Sequence, residues 1–134
     1  MALQLETEVS FTSDKFKRTG KLTGDNTNIN NFYGYDLALY ICEKLPDYAF
    51  GIIKEDWGFH LYSTHDLQFF YSVEVGGKSD NEDNTWTIIL RTEQIVPLFV
   101  IFRRYAQIQC SDKLVHAIMD ILSHVATDLR CRTI

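Results

Sequence analysis

Residues 48–63 read YAFGIIKEDWGFHLYS, and this stretch decides which class of fold the chain adopts. Ile52 and Ile53 lead into an acidic turn, and a run rich in aromatic residues leads out of it. Gly58 closes the turn, Glu55-Asp56-Trp57-Gly58, where a tight reversal favours a residue without a side chain. The stretch therefore predicts an antiparallel hairpin with strands over 49–55 and 58–64.

Further strand signals lie on both sides of this hairpin. Residues 67–75 (LQFFYSVEV) and 85–91 (TWTIILR) are rich in β-branched and aromatic residues, and the polar loop GGKSDNEDN over 76–84 separates them. Residues 5–12 alternate apolar with polar side chains, which is strand periodicity. The central segments predict an antiparallel meander, to which residues 5–12 add a fifth strand.

Two segments change to the spacing of a helix. Over residues 35–45 apolar side chains recur every three or four positions, and Pro46 ends the pattern. Ser111 is a suitable N-cap for a second helix over 112–127. The side chains predicted to point into the core are Leu37, Ile41, Leu45, Val115, Ile118 and Leu122. The alternation of residues 129–134 (LRCRTI) predicts a short strand after the second helix.

Residues 97–108 are ambiguous. Phe99, Phe102 and Tyr105 suit one helix face, whereas Phe99, Ile101 and Arg103 suit a strand. Pro97 favours the helix, because proline fits the first helical turn. The whole pattern predicts a single domain over 1–134 of the α+β class, with an antiparallel sheet of about five strands and two or three helices on one face.

The composition limits where the protein can be located and which classes of partner it can bind. The 134 residues carry a formal net charge of −5, which removes the electrostatic footprint of a protein that binds nucleic acid directly. The longest apolar run, residues 96–102, is too short to span a bilayer, so no membrane partner is predicted. Three widely spaced cysteines favour reduced thiols, and Cys42 falls on the apolar side of the first helix as a small core residue. We expect a cytoplasmic protein.

The residues that carry chemistry form no recognisable catalytic or metal-binding motif. The four histidines lack the convergent spacing of a zinc site, although His60 and His65 flank one strand end. The loop with Asp80, Glu82 and Asp83 lacks the spacing of a calcium loop. We therefore expect no metal and no cofactor. One catalytic alternative stays open, because Trp57 could desolvate Glu55 or Asp56 and make it a general acid.

The distribution of charge points to a binding surface. Residues 43–93 contain ten acids and four bases, so the acidic excess of the chain lies in this segment. Clustered charge of one sign steers a partner of the opposite sign, and aromatic side chains rimmed by acids are typical of protein interfaces. The predicted partner-binding residues are Asp80, Glu82, Asp83, Glu55, Asp56 and Trp57. The alternatives are a merely solvated acidic face and a structural role for Trp57 in the core.

The segment over 34–92 resembles a group of small bacterial α+β proteins. In that group an acidic E-D-[WY]-G-[WF] turn precedes a strand, a second strand ends in glycine and a third carries a tryptophan. The matching stretches here are Tyr35-Asp36-Leu37-Ala38, Glu55-Asp56-Trp57-Gly58-Phe59, Val73-Glu74-Val75-Gly76-Gly77 and Thr85-Trp86-Thr87-Ile88. Residues 23–31 and 97–105 have no counterpart in the resemblance. Such proteins are encoded singly or beside polymorphic toxins.

In its acidic, aromatic-rich character the chain is also similar to immunity proteins of contact-dependent growth inhibition and related toxin systems. The resemblance implies a non-enzymatic protein that binds and neutralises a cognate toxin, often a basic nuclease domain. The alternatives are a small adaptor or regulatory domain with another partner, and a small enzyme that uses Glu55 and Asp56.

Overall fold

The computed structural model describes residues 5–16, 34–55, 57–63, 66, 68–76, 85–97 and 103–134. Two helices, seven strands and one 3₁₀ turn, Pro46–Tyr48, account for most of these residues. In chain order the elements are β1 (Thr7–Thr12), α1 (Tyr35–Lys44), β2 (Gly51–Glu55), β3 (Gly58–Ser63), β4 (Phe69–Gly76), β5 (Thr85–Pro97), β6 (Arg103–Ile108), α2 (Asp112–Ser123) and β7 (Thr127–Thr133).

The strands form one antiparallel sheet in the order β2-β3-β4-β5-β1-β7. The thirteen-residue strand β5 is its centre, because it pairs with β4, with β1 and with β6. Strand β1 pairs with the first half of β5, from Thr85 to Leu90, and β6 pairs with the second half, from Thr92 to Pro97. The predicted α+β class and antiparallel sheet are confirmed, but the described residues hold seven strands rather than about five.

The helix favoured for residues 97–108 is wrong in the part that the structure describes. Arg103–Ile108 is strand β6, and Pro97 is the last residue of β5 rather than the first residue of a helix. The apolar spacing of this segment suits both structures, and the deciding influence is the extended half of β5, which offers β6 a partner from Thr92↔Ile108 to Pro97↔Arg103. Residues 98–102 lie outside the described residues.

Helix α2 ends earlier than predicted. It stops at Ser123 instead of 127, and Thr127 already pairs with Thr12 in the ladder between β1 and β7. The register shifts beside this point, and Asp128 has a positive φ of 53°, so an irregular step starts β7. The predicted start of the helix is confirmed, because the Ser111 side chain accepts a hydrogen bond from the Leu114 amide.

The core lies between one face of the sheet and the two helices. Alternate strand residues point into it, and those that are almost fully buried are Val9, Phe11, Phe59, Leu61, Val73, Val75, Trp86, Ile88 and Leu90. Leu37, Ile41, Ile118 and Leu122 are fully buried as predicted. Leu45 and Val115 are half-buried at the margin of the same cluster, as is Cys42.

Polar contacts attach the helices to the sheet. The Ser111 amide donates a hydrogen bond to the buried Thr92 hydroxyl at 3.0 Å, which fixes the start of α2 over β5. The Ser13 hydroxyl donates to the Val125 carbonyl at 2.7 Å just beyond the end of α2. In the part of the chain that the structure describes, no helix has the length and apolar character needed to cross a membrane.

Candidate protein-binding surface at one end of the sheet

The turn between β2 and β3 is a two-residue hairpin loop. Glu55 pairs with Gly58, so the chain reverses between these two residues, and Trp57 lies in the turn. Gly58 has a φ of +153°, a conformation that residues with side chains rarely adopt, and this explains the glycine at that position. The predicted hairpin is confirmed, and it places Glu55 and Trp57 at the tip of the sheet. Asp56 lies outside the described residues.

Trp57 is an exposed aromatic residue, not a core residue. Its exposed fraction is 38%, whereas Trp86 on β5 is 0% exposed and contacts the ring of Phe16 at a centroid distance of 6.1 Å. A large apolar side chain that remains in contact with water at a hairpin tip contributes little to the core. The alternative of a structural Trp57 buried in the core is therefore wrong.

The pairing of β3 with β4 brings the flanks of the two predicted acidic clusters to the same end of the sheet. Phe59, directly after the hairpin loop, pairs with Val75, and Gly76 at the end of β4 pairs with Thr87 near the start of β5. The segment 77–84 therefore leaves and rejoins the sheet at the end that carries Glu55 and Trp57. Asp80, Glu82 and Asp83 belong to that segment and lie outside the described residues.

The face of the sheet away from the helices neutralises much of its own charge. Arg91 on β5 donates hydrogen bonds to Glu6 and to Glu74, the latter at 2.5 Å. Arg132 on β7 donates to Glu8 at 2.7 Å. Burial opposes the charged form of Arg91, but the hydrogen bond to Glu6 and the charges of Glu74 and Glu6 raise the pKa of the guanidinium above its ordinary value. The charges of Glu74 and Arg91 cancel within this ion pair. The net negative charge of residues 43–93 therefore comes from the remaining acids of that segment.

The described histidines and cysteines form no metal site. Within the described ranges, no group of three or more His, Cys, Asp or Glu residues is placed to hold a metal ion. His60 lies on β3 opposite Glu74, and His65 lies outside the described residues. Cys42, Cys110 and Cys131 are free thiols, and burial raises the pKa of each of them. Catalysis by Glu55 and Asp56 stays a prediction.

A cavity at the opposite end of β3 and β4 was not predicted from the sequence. It has a volume of about 290 Å³, and the described residues that line it are Asp47, Tyr48, Ser63, Asp66, Tyr71 and Lys113. These residues come from the 3₁₀ turn, from β3 and β4 with their connection, and from the first turn of α2. No spacing along the chain relates all six residues. The pairing of β3 with β4 places Ser63 opposite Tyr71, and the tertiary fold adds the residues of the 3₁₀ turn and of α2.

Comparison with known proteins supplies no family for this chain. No family model, no curated protein and no solved structure matches it.

Proposed function

We propose that this chain is an immunity protein that binds and neutralises a basic toxin, a nuclease domain, in the bacterial cytoplasm. The binding surface is the acidic end of the sheet, formed by the hairpin tip with Glu55, Asp56 and Trp57 and by the segment with Asp80, Glu82 and Asp83. The protein acts by occupying a surface of the toxin and performs no chemistry on it.

The observation that carries this proposal is the exposure of Trp57 at the hairpin tip. An exposed tryptophan supplies a large, rigid apolar surface, and tryptophan is enriched among the residues that dominate binding energy at protein interfaces. Glu55 precedes it by two positions, and the ends of β4 and β5 that flank segment 77–84 lie at the same end of the sheet. An exposed tryptophan next to Glu55, in a segment with an acidic excess, matches a basic partner whose binding surface has an apolar centre.

The charge of this surface supports a nuclease as the target. A nuclease active site must attract a polyanion, so it presents positive charge. An acidic protein surface is drawn to the same site, and steering of this kind raises association rates at low ionic strength. The acids would then take the place of the nucleic-acid backbone.

The proposal is tested by measuring association with the C-terminal domain of the protein encoded directly upstream of this gene. Three variants separate the parts of the surface: Glu55→Lys with Asp56→Lys, the triple reversal Asp80→Lys with Glu82→Lys and Asp83→Lys, and Trp57→Ala. A matched control reverses two exposed acids on the helices, Glu43→Lys with Asp120→Lys.

We expect both surface reversals to slow association by about tenfold or more at low salt, with a smaller effect at high salt. Trp57→Ala should instead speed dissociation, and the helix control should bind like the unmodified protein. If both reversals leave the rate and its salt dependence unchanged, the acidic end is a solvated surface. Binding without protection of cells from the toxin would favour the adaptor alternative.

A further inference from the structure

Opposite charges line the cavity beside the 3₁₀ turn without contacting one another. The carboxylates of Asp47 and Asp66 and the ammonium of Lys113 all border it, yet none of the ion pairs among the described residues joins them. We propose that this cavity binds a small zwitterion, an α-amino acid with an apolar side chain. Its ammonium group faces Asp47 and Asp66, and its carboxylate faces Lys113.

Two tyrosine rings give the cavity fixed walls. Tyr48 and Tyr71 meet edge to face with ring centroids 5.4 Å apart, and Tyr48 also stacks on Phe50 at 5.3 Å with nearly parallel planes. The buried Ser63 hydroxyl donates a hydrogen bond to the Tyr48 carbonyl, which ties the 3₁₀ turn to the end of β3. The walls are thus held by contacts on the protein side, and a ligand does not have to order them.

Several polar groups of the cavity have no partner within the part of the chain that the structure describes. Neither the phenol hydroxyls of Tyr48 and Tyr71 nor the Lys113 ammonium makes a hydrogen bond to a described residue. Burial raises the pKa of Tyr48, and burial together with Asp66 raises the pKa of Tyr71, so both phenols stay protonated and can donate to a ligand. These groups match the polar end of an amino acid.

Lys113 is placed to receive a carboxylate. It lies in the first turn of the twelve-residue helix α2, where the helix dipole is positive and a basic side chain is disfavoured. An anion at this point interacts favourably with both the ammonium and the dipole. Asp66 supplies the opposite charge. Its Oδ1 accepts hydrogen bonds from the amides of Gln68 and Phe69, and these bonds fix the carboxylate beside the cavity.

Size and surroundings favour a small ligand with an apolar side chain. A volume of about 290 Å³ lies at the lower limit of ligand cavities, which run from about 300 to about 1,000 Å³. A second cavity of about 250 Å³ shares Tyr71, and the apolar side chains of Phe69 and Ile108 line it beside the polar residues Thr92, Gln109 and Ser111. L-leucine carries all three features, an ammonium, a carboxylate and an apolar side chain.

The test is an amide NMR titration of the full chain with L-leucine and two analogues that each lack one charge. Leucinamide lacks the carboxylate, and N-acetyl-L-leucine lacks the ammonium. We expect saturable shifts with L-leucine at the amides of Tyr48, Ser63, Tyr71 and Lys113, and binding at least about tenfold weaker for each analogue. If either analogue binds as tightly as L-leucine, the cavity does not recognise a zwitterion. The absence of saturable shifts up to about 20 mM L-leucine, well above a Kd of about 1 mM, would also contradict the proposal.

Charge-removing variants test the same assignment from the side of the protein. Asp66→Asn keeps an oxygen for the Gln68 and Phe69 amides, and Lys113→Gln keeps a long polar side chain. We expect each to weaken L-leucine binding by about tenfold, whereas the control variants Asp120→Asn on α2 and Lys54→Gln near the hairpin tip, at positions that do not line the cavity, bind normally. Unchanged binding by both cavity variants contradicts the proposal. The titration contains no toxin, and its cavity lies at the other end of the sheet from Trp57, so its result is independent of the proposed function.

Discussion

The phenol hydroxyl of Tyr40 on α1 donates a buried hydrogen bond to the carbonyl of Ile121 on α2, at 2.6 Å. Ile121 lies in the last turn of α2, where backbone carbonyls lack partners inside the helix. The Tyr40 hydroxyl therefore supplies a hydrogen-bond donor to one of these carbonyls and links the two helices over the sheet.

Removing that hydroxyl should destabilise the protein. Tyr40→Phe keeps the ring but leaves the Ile121 carbonyl without this donor, so we expect the free energy of unfolding to fall by about 1–2 kcal/mol. Urea denaturation measures the change, and Tyr62→Phe, a half-buried tyrosine on β3, is the control. A loss below about 0.3 kcal/mol would show that water replaces the bond without penalty.

Ile118 is the most direct test of the helical face of α2. It is 0% exposed, and Ile118→Ala should lower the free energy of unfolding by about 2–5 kcal/mol, because the truncation leaves a cavity. Val115 is half-buried, so Val115→Ala should have a smaller effect. Denaturation of the two variants under one set of conditions gives the comparison, and a change under about 0.5 kcal/mol for Ile118→Ala would place it at the surface.

The two tryptophans should respond in opposite ways. Trp86→Ala empties a fully buried site and should reduce stability by about 3–5 kcal/mol or prevent folding. Trp57→Ala should change stability by no more than about 1 kcal/mol, because its ring is exposed at the hairpin tip. Thermal melts distinguish these outcomes. Unfolding of the Trp57 variant would mean that the ring supports the hairpin rather than serving a partner.

Gly34 should tolerate no side chain. Its φ is +131°, and a Cβ built there would lie 3.2 Å from Val75 Cγ1 and 3.4 Å from the Trp86 ring. Gly34→Ala therefore combines backbone strain with crowding, and we expect a loss of about 1–3 kcal/mol in a urea denaturation series. Gly34 is the N-cap residue of α1, and Glu43→Ala on the exposed side of α1 is the control. It should leave the free energy of unfolding within about 0.5 kcal/mol of that of the unmodified protein.

Stability should fall in alkaline solution. Burial raises the pKa of Tyr40, Tyr48 and Tyr71 above the ordinary value of 10.0, with further contributions from Asp120, from Tyr71 and from Asp66 respectively. The folded protein therefore holds these protons more tightly than the unfolded chain. Their stabilising contribution is complete below pH 10 and is lost as the pH rises through the folded values.

Urea midpoints measured across this pH range check the sign of the effect. Tyr40→Phe should show a shallower alkaline decline than the unmodified protein, since it removes one of the three contributing tyrosines, while the contribution of the three cysteine thiols is the same in both proteins. A rise in stability above pH 10 would contradict the assignment.

Local signals predicted the elements that depend on near neighbours. Ser111 and the apolar spacing around Ile118 predicted the start and the buried face of α2, although not its end at Ser123. Gly58 and the apolar residues on both sides of the turn predicted the hairpin that exposes Trp57. Strand β6 was missed because its residues suit helix and strand equally, and the choice depends on pairing with Thr92 to Pro97 of β5. The structure of β6 therefore depends on how far β5 extends and not on the sequence of β6 alone.

The two candidate sites differ in the same respect. Glu55 and Trp57 share one turn, so their proximity was readable from the sequence. The cavity joins Asp47, Ser63 and Lys113 from distant elements, and no periodicity or motif relates a helical lysine to an aspartate in a turn 66 positions earlier. Only the docking of α2 determines that they face the same space.

The position of β1 has a consequence for synthesis on the ribosome. Strand β1 is made first, yet its partners are β5 and β7, with Thr7 opposite both Leu90 and Thr133. The nascent chain must therefore carry an unpaired β1 until β5 has emerged, and the sheet closes only when β7 arrives. Pairings this distant along the chain slow folding, because a large loop must be closed before any contact forms. We expect the hairpins of β2 to β5 to form early, β1 to pair with β5 after them, and β7 to close the sheet against β1 as the last step.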